Sequence, residues 1–279
     1  MRFKMKVNKL SIFGGLMALA SCVADDVDKL SLADRVPVEF SLGTQASFTR
    51  ASTENIEFDE NEVVKVCVKS GGDSYAPYDY KTSKSGSSNI GLTAPETPPY
   101  FPAGTSTKVR AYAYYPSTAG STFSVSTSQN DNSEYKKSDL MYAANREITK
   151  GVTDENNELV LAHQMAQLKI DAKAADGSGL TINSVVVNAK YQVAFTPDGE
   201  TITTTKDSKT DITAATAGGV SYVLVPVQKI SDVTIKVGVS ESSEEAEYTF
   251  NSSDEFQKRM LLYRQFGCYC GSAWSDFYH

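Results

Sequence analysis

Past its N-terminal segment the chain keeps returning to one pattern: apolar and polar residues alternate over a short run, and turn residues close it. Examples are V-R-A-Y-A-Y-Y-P (Val109–Pro116), T-I-N-S-V-V-V-N-A (Thr181–Ala189), S-Y-V-L-V-P (Ser221–Pro226) and V-T-I-K-V-G-V (Val233–Val239). Successive side chains of a strand point to opposite faces, so a period of two buries one face and wets the other. Val38, Phe40 and Leu42 show the same alternation within Val36–Arg50, and Val63–Val68, Tyr191–Thr196 and Ala246–Phe250 add further strands. Glu158–Ala172 reads as two strands broken near Gln164–Met165, because both flanks alternate. Residues 69–100 are rich in Gly, Ser, Pro and Tyr and predict a long surface loop with one short strand. A second loop, rich in Ser, Asn and Asp, runs up to Ser138. No stretch past residue 22 has a long helical period, and 15 Tyr beside one Trp fit strand-rich structure. The chain is therefore expected to be all-β. Many short strands with polar turns predict β-sandwiches. A length of 279 residues suits two domains, with a seam near Ala162–Ala166 that separates 36–164 from 165–279.

The first residues carry a different signal. Arg2, Lys4, Lys6 and Lys9 make a positive start, and Leu10–Ala20 is apolar but shorter than the roughly 20 residues a membrane span needs. The run ends on Leu19-Ala20-Ser21-Cys22, which looks like a bacterial lipobox. Residues 1–21 are then a signal peptide cleaved between Ser21 and Cys22, and Cys22 becomes the lipidated first residue. Acyl chains bury at ~0.8 kcal/mol per CH₂, so two or more anchor a protein stably. The acidic stretch behind it, with Asp25, Asp26 and Asp28, reads as a tether over 22–35.

Chemistry-bearing constellations are missing where they would be expected. The sequence has no phosphate-binding glycine loop, no H-E-x-x-H and no G-x-S-x-G. Cys67 reads as a small apolar strand residue, and C-Y-C (Cys268–Cys270) is too tight for a usual zinc pair. His163 reads as a packed, hydrogen-bonded core residue. Acidic clusters at Asp59–Glu62, Asp154–Glu158 and Glu241–Glu245 are placed in turns and lack the order of a calcium loop. No catalytic residue, metal site or cofactor is assigned, and the chain is expected not to be an enzyme. A net charge of −7 argues against a nucleic-acid partner.

Taken in order, the lipobox, V-R-A-Y-A-Y-Y-P, S-D-L-M-Y-A (Ser138–Ala143), L-A-H-Q-M-A-Q-L-K-I (Leu161–Ile170) and Y-V-L-V-P-V-Q (Tyr222–Gln228) resemble the fimbrillins, lipoprotein-derived pilus subunits of Gram-negative anaerobes. The similarity runs from Cys22 to about Lys258. It implies two tandem transthyretin-like β-sandwich domains and a lipid-anchored precursor on the outer membrane that ends in a surface fimbrium. It also implies a protease cut after an arginine, loss of the first strand, and refilling of the groove by a strand from another subunit. Here that cut falls between Arg50 and Ala51, and Val38, Phe40 and Leu42 are the plug residues that leave. The implied partners are other pilus subunits, the membrane through its lipid, and a host or microbial surface ligand. The competing reading is a monomeric surface lipoprotein that binds glycans through Tyr75–Tyr80, Tyr100 and Phe101.

Residues 259–279 depart from the family. They hold the single Trp (Trp274), Cys268 and Cys270, and no period-two pattern. Shifted by one nucleotide, the codons of Tyr263–Gly271 are compatible with a strand of β-branched and aliphatic residues. The tail is either the product of a frameshift near Lys258–Leu262 or a divergent C-terminus that forms a strand or hangs loose.

Overall fold

A computed structural model describes residues 35–44, 58–72, 74–83, 89–102, 107–152, 157–174, 179, 181–199, 201–217, 219–240, 245–256, 261–268 and 274–276. They belong, Arg35 aside, to one compact unit, Val36–His279. Its elements are almost all strands, as the alternation predicts.

Seven strands form the first part: β1 (Ser41–Thr44), β2 (Val63–Lys69), β3 (Ala76–Ser83), β4 (Asn89–Thr93), β5 (Lys108–Tyr115), β7 (Met141–Thr149) and β8 (Glu158–His163). They close in the order β1-β4-β3-β2-β5-β7-β8 and back to β1. Around them the buried set Val38, Leu42, Val64, Val66, Val68, Ala111, Ala113, Ile148, Leu159 and Leu161 makes one hydrophobic core.

The remaining strands build three sheets. β10 (Ile182–Lys190), β13 (Lys209–Thr213), β16 (Thr234–Val239) and β17 (Ala246–Thr249) pair in the order β13-β10-β16-β17. β11 (Gln192–Phe195) lies between β12 (Thr203–Thr205) and the short β6 (Thr122–Ser124). β9 (Ala166–Ala174), β14 (Ala215–Ala217), β15 (Val220–Val225), β18 (Leu261–Cys268) and β19 (Trp274–Asp276) pair as β14-β15-β9-β18-β19. A second core of Leu168, Ile170, Val185, Val187, Val223, Ile235, Val237 and Phe256 lies among these sheets. Cys67, Tyr112 and Tyr142, from the outward faces of β2, β5 and β7, are buried in it too. V-V-K-V-C-V-K thus buries both faces of its C-terminal half: Val64, Val66 and Val68 in one core, Cys67 in the other.

Three expectations need correction, and one open alternative is decided. Residues 69–100 hold two strands, β3 and β4, rather than a loop with one. The signal was Y-D-Y-K-T, where Tyr80 and Thr82 are buried on one face, and it was masked by neighbouring Gly, Ser and Pro. The Ser/Asn/Asp-rich stretch before Ser138 contains β6 and the only α-helix among the described residues, α1 (Asn132–Lys137), N-capped by the Asp131 side chain. Glu158 opens β8 instead of lying in a turn. The tail lacks alternation, yet it contains β18, the strand-forming alternative that the sequence left open. Its eight residues pair in parallel with β9, from Leu261↔Gln167 to Cys268↔Ala174. Main-chain hydrogen bonds to an existing strand edge need no side-chain period, so a register can form where the pattern is silent.

Candidate functional site

The seat of β1 is the feature with functional shape. β1 pairs antiparallel with β4 (Leu42↔Ile90) and parallel with β8 (Leu42↔Leu159), and is the single strand that joins them. Just upstream, Pro37 bridges Tyr100, the Val38 N–H donates to Pro99 O (2.9 Å) and the Phe101 N–H donates to Val36 O (3.0 Å). Val38 and Leu42 are buried in the first core. Phe40 is half-buried, and its ring lies 4.9 Å from that of Tyr80. Burial pushes the Tyr80 phenol well above its ordinary pKa. Its hydroxyl is a buried donor with no hydrogen-bond partner among the described residues, which costs free energy.

After β1 the next described residue is Phe58, and the chain is firmly held from there. Phe58 is buried edge-on against Tyr115, with ring centroids 5.0 Å apart. Lys136 of α1, itself buried, reaches Asp59 Oδ2 at 2.5 Å. Asn61 takes a left-handed φ of 68°, a conformation Asn tolerates, and so turns the chain into β2. The Thr82 hydroxyl donates to Asp59 O, and the Tyr115 hydroxyl donates to Glu62 Oε1 (3.2 Å). Burial pushes the Glu62 carboxyl up, against the pull of the Asp59 N–H, Lys136 and Tyr115.

The motifs that looked family-like in the sequence meet in space. Asp139 of S-D-L-M-Y-A accepts from His163 Nδ1 at 2.8 Å, and its side chain is only 1% exposed. The Gln164 N–H donates to Leu140 O (2.7 Å), and Met141 and Tyr142 pair with His163 and Ala162. β8 ends at His163 and β9 begins at Ala166, so this contact sits where the chain leaves the first sheet for another. His163 is a packed, hydrogen-bonded residue, in line with the sequence reading.

Other candidate residues fall elsewhere. Ser21, Cys22, Arg50 and Ala51 lie outside the described residues. The aromatic residues of the glycan reading are largely taken up by packing: Tyr80 and Phe101 are buried, Tyr75 stacks 4.8 Å from Tyr112, and Tyr78 packs against the first core. Among the described residues no group of three or more His, Cys, Asp or Glu is arranged to hold a metal. Sequence reasoning missed Gly43 and Lys136, named Tyr80 only as a glycan candidate, and gave Glu158 no part in the seat. Only Tyr80 had left a trace, in the alternation of β3.

The fimbrillin-like family model matches residues 49–259, and the chain belongs to that family. No curated protein matches it. Crystal structures share the fold. A candidate cell adhesion protein from Bacteroides uniformis superposes with TM-score 0.64 at 18% identity, covering 88% of this chain and 99% of that one. One from Bacteroides ovatus gives 0.58 at 11%, covering 82% and 91%. A fimbrial assembly protein from Parabacteroides distasonis gives 0.52 at 11%, covering 86% and 95%. The family match ends at residue 259, so the tail bearing β18 and β19 lies beyond it.

Proposed function

We propose that this chain is a non-catalytic subunit of a cell-surface pilus that supports adhesion. Membership of the fimbrillin-like family supports the role, and the similarity to adhesion and fimbrial proteins agrees with it. The precursor is held on the outer membrane by lipid on Cys22. A protease cuts between Arg50 and Ala51, β1 leaves with Val38, Phe40 and Leu42, and a strand of another subunit takes its place. The observation that carries this reading is the position of β1. It alone joins β4 to β8, and removing it opens two strand edges and an apolar slot at once. Such an edge pair binds a strand by β-augmentation, with main-chain hydrogen bonds for affinity and alternate side chains for specificity. The anchor at Phe58–Glu62 explains how the rest of the fold keeps its hold on the chain after a cut at Arg50.

Intact mass of the protein taken from native cell surfaces tests the proposal. Polymeric material should begin at Ala51, and the unpolymerised precursor at lipidated Cys22. Polymers built from chains that begin at Cys22, or polymerisation undiminished by Arg50→Ala, would overturn the processing step.

A further inference from the structure

Leu42 points into the core, so its neighbour Gly43 faces outward, yet Gly43 is buried. What covers it is the side chain of Glu158. In the parallel register Glu158 stands beside Ser41, and its chain leans along the strand to lie over Gly43, the partner of Val160. A Cβ built on Gly43 would collide with Glu158 Oε1 and lie 2.9 Å from its Cδ and 3.4 Å from its Cγ. Gly43 has no positive φ, so the glycine is not required by its backbone conformation. What a side chain there meets is the end of the Glu158 side chain, which has to turn aside to admit it.

The start of β8 has little freedom to yield. Arg146 Nη1 donates to Glu158 O at 2.6 Å. One residue earlier the Asn157 side chain accepts from the Thr149 N–H and donates to Thr149 O and Val152 O. A larger occupant therefore has to swing the Glu158 side chain away from the strand, because the backbone beneath it is tied.

We propose that Glu158 is a specificity-determining residue of the β1 seat, which admits a strand with glycine directly after its last buried apolar residue. The proposal rests on the reading that this seat changes occupants, but its physical content applies to β1 itself. Over β1 and the segment leading into it the code is Val38-x-Phe40-x-Leu42-Gly43. Apolar pockets accept many strands of similar period, and the Glu158 cover adds a steric penalty against those with a side chain at the glycine position. Discrimination of this kind works by excluding the wrong partner rather than by improving the right one.

The test uses the full chain. Amide hydrogen exchange over Val38–Thr44 is compared in the unaltered protein, Gly43→Val, Glu158→Ala and the double variant. Gly43→Val is expected to lower the protection of β1 by roughly tenfold, and adding Glu158→Ala to restore most of it, the signature of two residues in direct contact. If Gly43→Val does not fold, Gly43→Ala replaces it in the same cycle. Unchanged protection in the glycine variant, or a double variant no better than the single one, overturns the proposal. In a second experiment the chain is cut after Arg50 and offered the peptide Val36–Thr44, unaltered or with Gly43→Val. Uptake of the unaltered peptide alone, relaxed by Glu158→Ala, supports both readings. Uptake of neither peptide counts against strand exchange and leaves the exchange cycle on β1 to decide the role of Glu158. Equal uptake of both overturns the role of Glu158 and leaves strand exchange standing.

Discussion

At the scale of single residues, the first strand is held by unequal forces. Leu42 has no exposed surface and touches β4 and β8 at once. Leu42→Ala removes that burial and leaves a cavity, a change that typically costs about 2–5 kcal/mol. Urea unfolding of the uncut chain should show a loss in that range. Tyr80 acts in the other direction. Its buried hydroxyl has no partner among the described residues, so Tyr80→Phe removes a desolvated donor while keeping the ring against Phe40. The expected outcome is a chain as stable as the original, or more stable by about 1 kcal/mol. A clear loss of stability would mean that the hydroxyl has a role beyond the seat. Glu62 adds a pH dependence. Its carboxyl binds a proton more tightly folded than unfolded, because burial raises its pKa. The folded state then gains stability as pH falls through the folded pKa of Glu62 and loses it as pH rises. Glu62→Gln should flatten that part of the stability profile, measured by thermal melts over a pH series that runs upward from the ordinary carboxylate pKa of about 4.3.

At the scale of elements, the contact between S-D-L-M-Y-A and the His163 segment holds the place where the chain passes from β8 to β9. Asp139→Ala takes away the acceptor of His163 Nδ1 in a buried setting, a loss of about 1–3 kcal/mol. Hydrogen exchange should show the effect concentrated in β7 and the start of β9, and a uniform loss across the unit would argue against a local joint. The same element shows what the sequence could and could not reveal. β5, β8, β9, β10 and β16 were legible because each carries its own alternation and buries one face or both. Val38 and Leu42 were legible as core residues for that reason. β3 was hidden by the composition around it, since Tyr78 and Tyr80 keep the period but Gly, Ser and Pro flank them. α1 is a short helix fixed by the Asp131 cap and the burial of Tyr135, with too few turns to show a helical period. β18 carries no period of its own and takes its register from β9. The loops escaped for another reason: buried amides hold them. Gln129 accepts from the Leu224 N–H (2.8 Å) and donates to Leu224 O (2.9 Å), and so imitates a neighbouring strand. Gln228 does the same for Lys190. A single Gln in a polar stretch gives no sign of such a role. Gly43 and Glu158 were equally silent, because their relation exists only once the parallel register is known.

At the scale of the whole molecule, two strands near the ends of the described chain cover the edges of others. β1 closes the first sheet between β4 and β8. β18 covers the edge of β9 that would otherwise be open, with β19 beyond it. The two differ in how they are bound. β1 closes a sheet between two long-range partners, β4 and β8, and Arg50 follows it in the sequence. β18 stands between β9 and the three-residue pairing with β19, after Phe256, the last residue whose burial is described, and past the family match at residue 259. Its pairing with β9 spans eight of that strand's nine residues. An unpaired edge of that length is a template for association with another chain. A chain that stops after Phe256 should therefore keep its cores but lose the cover of β9. Light scattering on such a chain is expected to show self-association that grows with concentration, while the full chain at the same concentration stays unassociated. A truncated chain that remains monomeric and melts with the original would show that β9 does not depend on the tail. The two cores would then account for the stability of the unit by themselves, and the tail would be free to diverge without structural consequence.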